Sequence, residues 1–183
     1  MSILNVENCI FLIIDFQDKL LNAVYNKDSV LENAVILSKA ASLLKIPVCI
    51  TEQYPKGLGN TKSAIQQCLM ETQTKTFEKT AFNALVDPVL AATIKSTNRT
   101  QVVVFGIETH ICVHQTVDAL LNDDYEVHVI QDICSSRFIE EHSAGLMRMK
   151  DNGAIISTTE IALFELLKTA KNPNFKTLQS LIK

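Results

Sequence analysis

With 183 residues, 47% of them hydrophobic and 20% charged, the chain has the size and composition of one globular domain that buries a substantial core. A net charge of −3 and scattered lysines and arginines disfavour a nucleic-acid-binding role, and no segment is long and apolar enough to cross a membrane. Because the five cysteines lie far apart and the first residues lack a signal-peptide pattern, we predict a reducing, cytoplasmic compartment without a disulfide framework.

Short apolar runs rich in β-branched residues recur along the chain and predict the strands of a parallel sheet. Several runs are almost continuously apolar, as strands are when helices cover both of their faces. The runs occupy residues 9–15, 48–51, a weaker 74–77, 101–105, 127–131 and 154–157. Neither an internal repeat nor a linker interrupts them, so we predict an α/β fold in a single domain over residues 1–183.

Stretches with helical periodicity fill the gaps between these runs. Ser29 is predicted to cap the first helix, and Asp87 and Pro88 to cap and open another. Gly153 is predicted to end a helix in a left-handed conformation. The predicted helices are residues 29–44, 88–95, 110–122, 138–152 and 159–168, with a short one after Pro173.

Three residues with reactive side chains follow predicted strands. Asp15 closes the first run, Lys79 follows the third, and Cys112 follows the fourth. In open parallel sheets, ligands bind beyond the carboxyl ends of the strands, where the strand order reverses. If the first and fourth strands are neighbours at that reversal, the three side chains converge from distant positions in the sequence.

Cys112 is predicted to lie in the first turn of the helix that follows the fourth strand. The free N–H groups and partial positive charge of a helix N-terminus stabilise a thiolate, and the same N–H groups can bind an oxyanion. The alternative is one more buried thiol, which is a common state of free cysteine. Position alone leaves both interpretations open.

Asp15 and Lys79 also have two interpretations each. Asp15 is either a general base in a cleft or the cap of the following turn. A Lys79 ammonium facing the cleft would lower the pKa of both Asp15 and Cys112, but most lysines are solvated. Lys75 competes for the same role, and spacing does not distinguish the two lysines.

The histidines do not form a recognisable metal-binding motif. His110 and His114 are four residues apart, but the pair lacks the glutamate of an HExxH motif and a third ligand with suitable spacing. Gly57 and Gly59 lie in a loop rather than in a phosphate-binding strand-to-helix turn. We therefore predict no metal and no cofactor.

The segments around the reactive residues resemble the isochorismatase-like cysteine hydrolase superfamily. In chain order they are LIIDFQDKL around Asp15, TEQYPKGLGNT at 51–61, EKTAFNAL around Lys79, VVVFGIETHICVHQT around Cys112 and DICSSR at 132–137. Together they cover nearly the whole chain. The TEQYPKGLG and CSSR stretches are especially similar to the isochorismatase domain-containing branch.

This resemblance implies a three-layer, Rossmann-like fold with a six-stranded parallel sheet flanked by helices on both faces. It also implies a catalytic triad of Asp15, Lys79 and Cys112, and so favours Lys79 over Lys75. A small-molecule substrate and a homo-oligomer, a dimer or larger, are implied as well.

The resemblance further implies details around the nucleophile. A cis peptide bond is expected at Ile107–Glu108, and the backbone N–H groups of Glu108 and Cys112 are expected to form the oxyanion hole. Four more residues are predicted to line or brace the substrate pocket: Gln17, Tyr54, Phe82 and Arg137.

Two departures from related enzymes shape the predicted chemistry. Nicotinamidases bind a metal through an Asp and two His after the second strand, whereas this region contains no His, which argues against a catalytic metal. Isochorismatases hydrolyse a vinyl ether without a cysteine nucleophile, so Cys112 argues against that reaction. We predict hydrolysis of a small non-peptide amide, or a related acyl compound, through a Cys112 thioester.

Two other function classes stay open at this point. One is a catalytically silent small-molecule-binding or scaffold module on the same fold. The other is a redox thiol protein, in which Cys134 approaches Cys112 in space. An active nucleophile is expected to have a lowered pKa, and Cys112 would then react selectively with alkylating reagents near about pH 6.

Overall fold

A computed structural model describes residues 2–182 of the chain. Six strands form one sheet: Cys9–Ile14 (β1), Val48–Gln53 (β2), Thr74–Lys79 (β3), Gln101–Gly106 (β4), Glu126–Ile130 (β5) and Ile155–Ser157 (β6). They are all parallel and lie in the order β3-β2-β1-β4-β5-β6. The predicted six-stranded parallel sheet is therefore confirmed. Strand order reverses between β1 and β4: β2 and β3 lie on one side of β1, and β4, β5 and β6 lie on the other.

Nine α-helices surround the sheet in the described part of the chain: Asp18–Leu21 (α1), Lys27–Leu43 (α2), Pro55–Leu58 (α3), Ser63–Cys68 (α4), Pro88–Ser96 (α5), His114–Asn122 (α6), Ile139–Asp151 (α7), Thr159–Leu167 (α8) and Phe175–Gln179 (α9). Short 3-10 segments lie at Ala84–Val86, Gln131–Ile133 and Ser180–Ile182. Across residues 2–182, none of the helices is both long and apolar enough to span a membrane.

The predicted helices are found with shifted ends. Helix α2 begins at Lys27, before the predicted cap Ser29, and α6 is preceded by a π-helical turn over Thr109–Val113. The Asp87 carboxylate accepts a hydrogen bond from Val89 N at 2.8 Å, which confirms the predicted cap. Helices α1, α3 and α4 were not predicted, because segments of four to six residues are too short to show a helical period.

The centre of the sheet is covered on both faces. Every residue of β1 and β4 is buried, although successive side chains point to opposite faces of a strand. Phe105 of β4 packs edge-on against Phe11 and Phe16, with ring centroids 6.1 and 6.2 Å apart. These contacts fix the end of β1 against the end of β4, which is where the reactive residues lie.

A glycine allows these two strands to approach closely at their carboxyl ends. Gly106 has φ +152°, and a Cβ on this residue would stand 2.1 Å from the carbonyl oxygen of Ile14. Gly153 has φ +108° after α7, which confirms the predicted left-handed helix end. The close approach at Gly106 brings the chain after β4 next to the chain after β1.

Candidate functional site

Asp15 occupies the turn in which β1 ends. Its φ of +53° is in the left-handed region, which aspartate tolerates better than most residues. Its N–H donates to Thr51 O at 3.1 Å, and its carbonyl accepts from Gln17 N at 2.8 Å, so both main-chain groups are satisfied. The Asp15 side chain is completely buried at this turn. A buried carboxylate needs partners, and strands β2 and β3 supply them.

Lys79, at the end of β3, forms a buried ion pair with Asp15. The Lys79 Nζ–Asp15 Oδ2 distance is 2.6 Å, and the two side chains are 4% and 0% exposed. Thr51 Oγ1 donates to the second carboxylate oxygen, Oδ1, at 2.7 Å. Lys79 Nζ also donates to Gln53 Oε1 at 2.7 Å and to Ala81 O at 3.3 Å. Each member of the pair is therefore fixed by a second hydrogen bond.

Sequence reasoning did not single out Thr51 and Gln53. Both lie at the end of β2, which separates β1 from β3 in the sheet. They are two positions apart, so their side chains lie on the same face of the strand. One feature of the sequence could have indicated them: two polar residues, two positions apart, end the apolar run that comes next in the chain after the run closed by Asp15.

Cys112 lies in the π-helical turn, two residues before α6 begins. It is 6% exposed, and the charges of Asp15 and Lys79 both act on its thiol, Asp15 raising and Lys79 lowering the pKa of the thiol. The structure thus brings Cys112, Asp15 and Lys79 together, as their positions after strands suggested. Lys75 lies near the opposite end of β3, where it pairs with Cys49 and is exposed.

The expected thiolate at Cys112 is wrong for the resting site. Burial raises the pKa of the Cys112 thiol to about 12, and the Asp15 charge raises it as well, while Lys79 offsets only part of this. The position of Cys112 is as predicted, because the π-helical turn runs directly into α6 and Cys112 lies in the first turn of this continuous helical segment. The resting pair is therefore a neutral thiol beside a carboxylate.

Packing against the segment after β5 and against α7 holds the π-helical turn in place. Thr109 N donates to Ser135 O at 2.8 Å, and Thr109 Oγ1 lies 2.9 Å from Nδ1 of the buried His142. Gly145 of α7 packs directly on the turn, since a Cβ there would come within 3.0 Å of His110 Cα. The CSSR stretch and α7 thus form the support on which Cys112 rests.

Of the two residues expected to form the oxyanion hole, Glu108 directly precedes this turn and Cys112 is its fourth residue. The Ile107–Glu108 peptide bond is cis. Among residues 2–182, no group accepts a hydrogen bond from Glu108 N, and no group outside the turn accepts one from Cys112 N. The Glu108 carboxylate accepts from Arg137 N at 3.0 Å and from Arg137 Nε at 3.1 Å. The oxyanion hole itself stays a prediction.

The four predicted pocket residues differ in their surroundings. Gln17 is buried, and its amide bonds to the main chain of Gln53, with Oε1 accepting from N at 2.7 Å and Nε2 donating to O at 2.9 Å. Tyr54 and Phe82 are 56% and 52% exposed and lie close to Lys79 along the chain or sheet. Arg137 is exposed beside Glu108. Gln17 is therefore fixed against β2, whereas the other three side chains are exposed to solvent, and their role in a pocket stays a prediction.

The loop after β2 is held by a carboxylate of that strand, Glu52. Glu52 Oε1 accepts hydrogen bonds from Thr61 N and Thr61 Oγ1, both at 2.7 Å, and Asn60 Nδ2 donates to Glu52 Oε2 at 3.2 Å. Through these three hydrogen bonds Glu52 stabilises the loop.

Within the described part of the chain, no cluster of three or more His, Cys, Asp or Glu side chains is arranged to hold a metal ion.

The sequence and the fold both have known relatives. The isochorismatase domain matches residues 9–161. Isochorismatase domain-containing protein 2 of Danio rerio is 34% identical over 179 residues, which cover 98% of this chain and 89% of that protein. The solved structure of MAR1 ribonuclease from Caenorhabditis elegans is 33% identical and has a TM-score of 0.92, covering 99% of this chain and 92% of that one.

A more distant structure shares the fold. The YcaC gene product of Escherichia coli, described as an octameric hydrolase of unknown specificity, has a TM-score of 0.91 at 21% identity. The similarity covers 97% of this chain and 89% of that one. At this identity the comparison shows a common architecture and nothing finer.

Proposed function

Because the chain belongs to the isochorismatase family, we propose that it is a cysteine hydrolase with an Asp15–Lys79–Cys112 triad. Its proposed substrate is a small non-peptide amide or a related acyl compound, of which it cleaves the C–N bond. The observation that carries the proposal is the position of the Cys112 thiol beside the buried Asp15–Lys79 pair. Burying two charges is costly and adds little stability by itself, so such a pair beside a thiol supports a catalytic role.

In the first step, Cys112 Sγ attacks the carbonyl carbon of the amide while the Asp15 carboxylate accepts the thiol proton. A carbon–sulfur bond forms, and the carbonyl π electrons move to the oxygen. Proton transfer accompanies attack, because the raised pKa of Cys112 disfavours a free thiolate in the resting site. Lys79 stabilises the negative charge that develops on sulfur.

The tetrahedral oxyanion is proposed to accept hydrogen bonds from the N–H groups of Glu108 and Cys112. One such donor stabilises the transition state by about 3 kcal/mol in comparable sites. Supporting this assignment, neither N–H group donates to an acceptor outside the turn in the described chain. The Glu108 N–H is therefore available to a substrate oxygen.

In the second step, the intermediate collapses and the C–N bond breaks. The leaving nitrogen takes the proton from Asp15, and the acyl group remains on Cys112 as a thioester. Water then attacks the thioester while Asp15 removes its proton, and that proton returns to sulfur as the carboxylic acid departs. The sum is amide plus water giving acid plus amine, with the enzyme unchanged.

A screen of small amides, combined with mass spectrometry of the Cys112 peptide, tests this mechanism. We expect an acyl adduct on Cys112 and loss of all turnover in Cys112→Ala. Cys68→Ala is the matched control, because Cys68 is a partly exposed thiol on α4 and should leave turnover unchanged. Full activity of Cys112→Ala would show that the mechanism is wrong.

A second candidate is a small-molecule-binding module in which the triad is silent. Two observations favour it: the pKa of Cys112 is raised to about 12, and the side chain is only 6% exposed. A binding module predicts ligand-dependent thermal stabilisation of both wild type and Cys112→Ala, with no acyl adduct. The hydrolase predicts an adduct in wild type and none in the variant.

The structurally similar Caenorhabditis elegans protein is described as a ribonuclease. We predict no RNA cleavage by this chain, since its net charge is −3 and its lysines and arginines are scattered along the sequence. Incubation with a labelled RNA oligonucleotide checks this. RNA cleavage that persists in Cys112→Ala and disappears in Asp15→Asn would contradict the thiol mechanism and favour acid–base catalysis on RNA.

Self-association and location are part of the proposal. We propose a homo-oligomer, in keeping with the octameric Escherichia coli protein of the same fold, and light scattering should give a mass above 20.3 kDa. We propose a cytoplasmic location, because all five cysteines are free thiols and four of them are buried. A fluorescent fusion that accumulates in the secretory pathway would contradict this location.

A further inference from the structure

Gln53 places a neutral side chain directly on Lys79. The two residues are opposite each other in the parallel register of β2 and β3, so their side chains lie on the same face. Gln53 Oε1 accepts from Lys79 Nζ at 2.7 Å, while Gln53 Nε2 donates to Thr80 O at 2.9 Å. The orientation of this amide follows from its partners, because an ammonium only donates and a carbonyl only accepts.

Gln53 is itself held by a second glutamine. The regular pairing of β1 with β2 ends at Ile14 and Thr51, because the chain turns away at Asp15. The Gln17 side chain then continues the pairing: its amide accepts from Gln53 N and donates to Gln53 O, as a strand would. The backbone of Gln53 is therefore fixed beyond the end of the regular β1–β2 ladder.

The Lys79 ammonium has three protons, and its neighbours use them unequally. The contacts with Asp15 and Gln53 are short, at 2.6 and 2.7 Å, whereas the contact with Ala81 O is 3.3 Å. The third proton has only the long contact with Ala81 O, so it is the one that can turn toward Cys112, the pKa of whose thiol Lys79 lowers. Because Asp15 and Gln53 each fix one proton of the ammonium, together they determine where the third one points.

We propose that Gln53 is a positioning residue, which holds the Lys79 ammonium on Asp15 and directs its remaining proton to the sulfur of Cys112. This inference rests on the proposed cysteine chemistry. An amide suits the role because its oxygen accepts a hydrogen bond from Lys79 without carrying a charge. A carboxylate at the same place would compete with Asp15 for the cation and would add a negative charge beside the thiol.

The experiment measures alkylation of Cys112 by iodoacetamide as a function of pH, read by mass spectrometry of the Cys112 peptide in the full-length protein. Gln53→Glu keeps the shape of the side chain, and we expect alkylation at about pH 8 to slow by about tenfold or more. Gln53→Met removes the acceptor without adding a charge, and we expect alkylation to slow by about threefold, because Lys79 loses its anchor. The matched controls are Gln67→Glu and Gln67→Met, since Gln67 is exposed on α4.

A double-mutant comparison separates positioning from a general structural effect. If Gln53 acts through Lys79, Gln53→Met should slow alkylation in the wild-type background and have no effect in the Lys79→Met background. An equal slowing in both backgrounds would overturn the proposal. So would an unchanged pH profile in Gln53→Glu that remains folded by circular dichroism.

This test needs no substrate, so it separates the positioning role from the proposed function. Coupling between Gln53 and Lys79 without any acyl adduct would support the positioning role and contradict the hydrolase. Amide turnover that depends on Cys112, together with alkylation of Gln53→Met at the wild-type rate, would contradict the positioning role alone.

Discussion

Lys79 Nζ lies 2.6 Å from Asp15 Oδ2, although Lys79 ends β3 and Asp15 follows β1, and these two strands are not neighbours in the sheet. Strand β2 lies between them, and its last residues contact one member each: Thr51 donates to Asp15, and Gln53 accepts from Lys79. The end of β2 thus forms the frame across which the ion pair is held. This relationship explains why polar side chains occur at the end of an otherwise buried apolar strand.

Removing one member of the pair should destabilise the fold more than removing both. Lys79→Met leaves the Asp15 charge buried without a cation, and we expect the free energy of unfolding to fall by about 3–5 kcal/mol. The double variant Asp15→Asn with Lys79→Met should recover at least half of this loss. Urea denaturation followed by circular dichroism measures both.

Lys62→Met is the control for this comparison. Lys62 pairs with Asp18 at the surface, with 30% and 59% of the two side chains exposed, so its loss should cost less than about 1 kcal/mol. If Lys79→Met were no more destabilising than Lys62→Met, the Asp15 charge would not depend on Lys79 for its burial.

Asp15→Asn should have opposite effects on the reactivity and the catalysis of Cys112. After burial, the Asp15 charge is the next cause that raises the pKa of the thiol, so its removal should lower that pKa and speed alkylation at about pH 8. Hydrolysis should nevertheless be lost, because no base remains to accept the thiol proton. Wild-type alkylation should keep rising with pH and show no plateau near neutrality. A plateau near about pH 6 would mean that the resting group is a thiolate after all.

The buried cysteines should make stability fall at alkaline pH. Burial raises the pKa of Cys49 to about 11, and those of Cys9, Cys112 and Cys134 to about 12, from an ordinary value of 9.0. Above pH 9 the unfolded chain releases thiol protons that the folded chain retains, so the free energy of unfolding decreases as pH rises. Each thiol contributes up to about 1.4 kcal/mol per pH unit in this range.

Urea denaturation at several pH values between about 7 and 10.5 measures this slope. Cys134→Ala lowers stability at every pH because it leaves a cavity, but its stability should fall less steeply above pH 9, since one buried thiol is absent. Equal slopes in wild type and variant would contradict the raised pKa of Cys134.

Gly106→Ala should be far more harmful than Gly153→Ala. Both glycines have positive φ, but a Cβ at Gly106 would stand 2.1 Å from Ile14 O, while one at Gly153 would meet nothing within 4 Å. We expect about 1–2 kcal/mol of destabilisation at Gly153, from backbone strain alone, and more than that at Gly106. Thermal melting of the two variants gives the comparison. Equal melting temperatures would mean that β1 and β4 do not approach closely at this position.

The sequence by itself determined the sheet and the edge at which the reactive residues gather. Apolar runs alternating with helical stretches indicate parallel strands, and parallel strands bring their carboxyl ends to one edge. Asp15, Lys79 and Cys112 each follow such a run, so their convergence was predictable from their order along the chain. The strands could be predicted because burial on both faces requires five or six consecutive apolar residues, and such runs are visible in the sequence.

Only the tertiary structure decided how the gathered residues act on one another. Register places Lys79 opposite Gln53 and leaves Lys75 near the other end of the strand, whereas spacing alone treated the two lysines alike. The direction of the Cys112 pKa depends on the removal of water and on the distances to Asp15 and Lys79, which no local pattern encodes. The local sequence determines at which strand end each reactive residue lies. The protonation of its side chain depends on the exclusion of solvent and on contacts between distant segments, which exist only once the chain is folded.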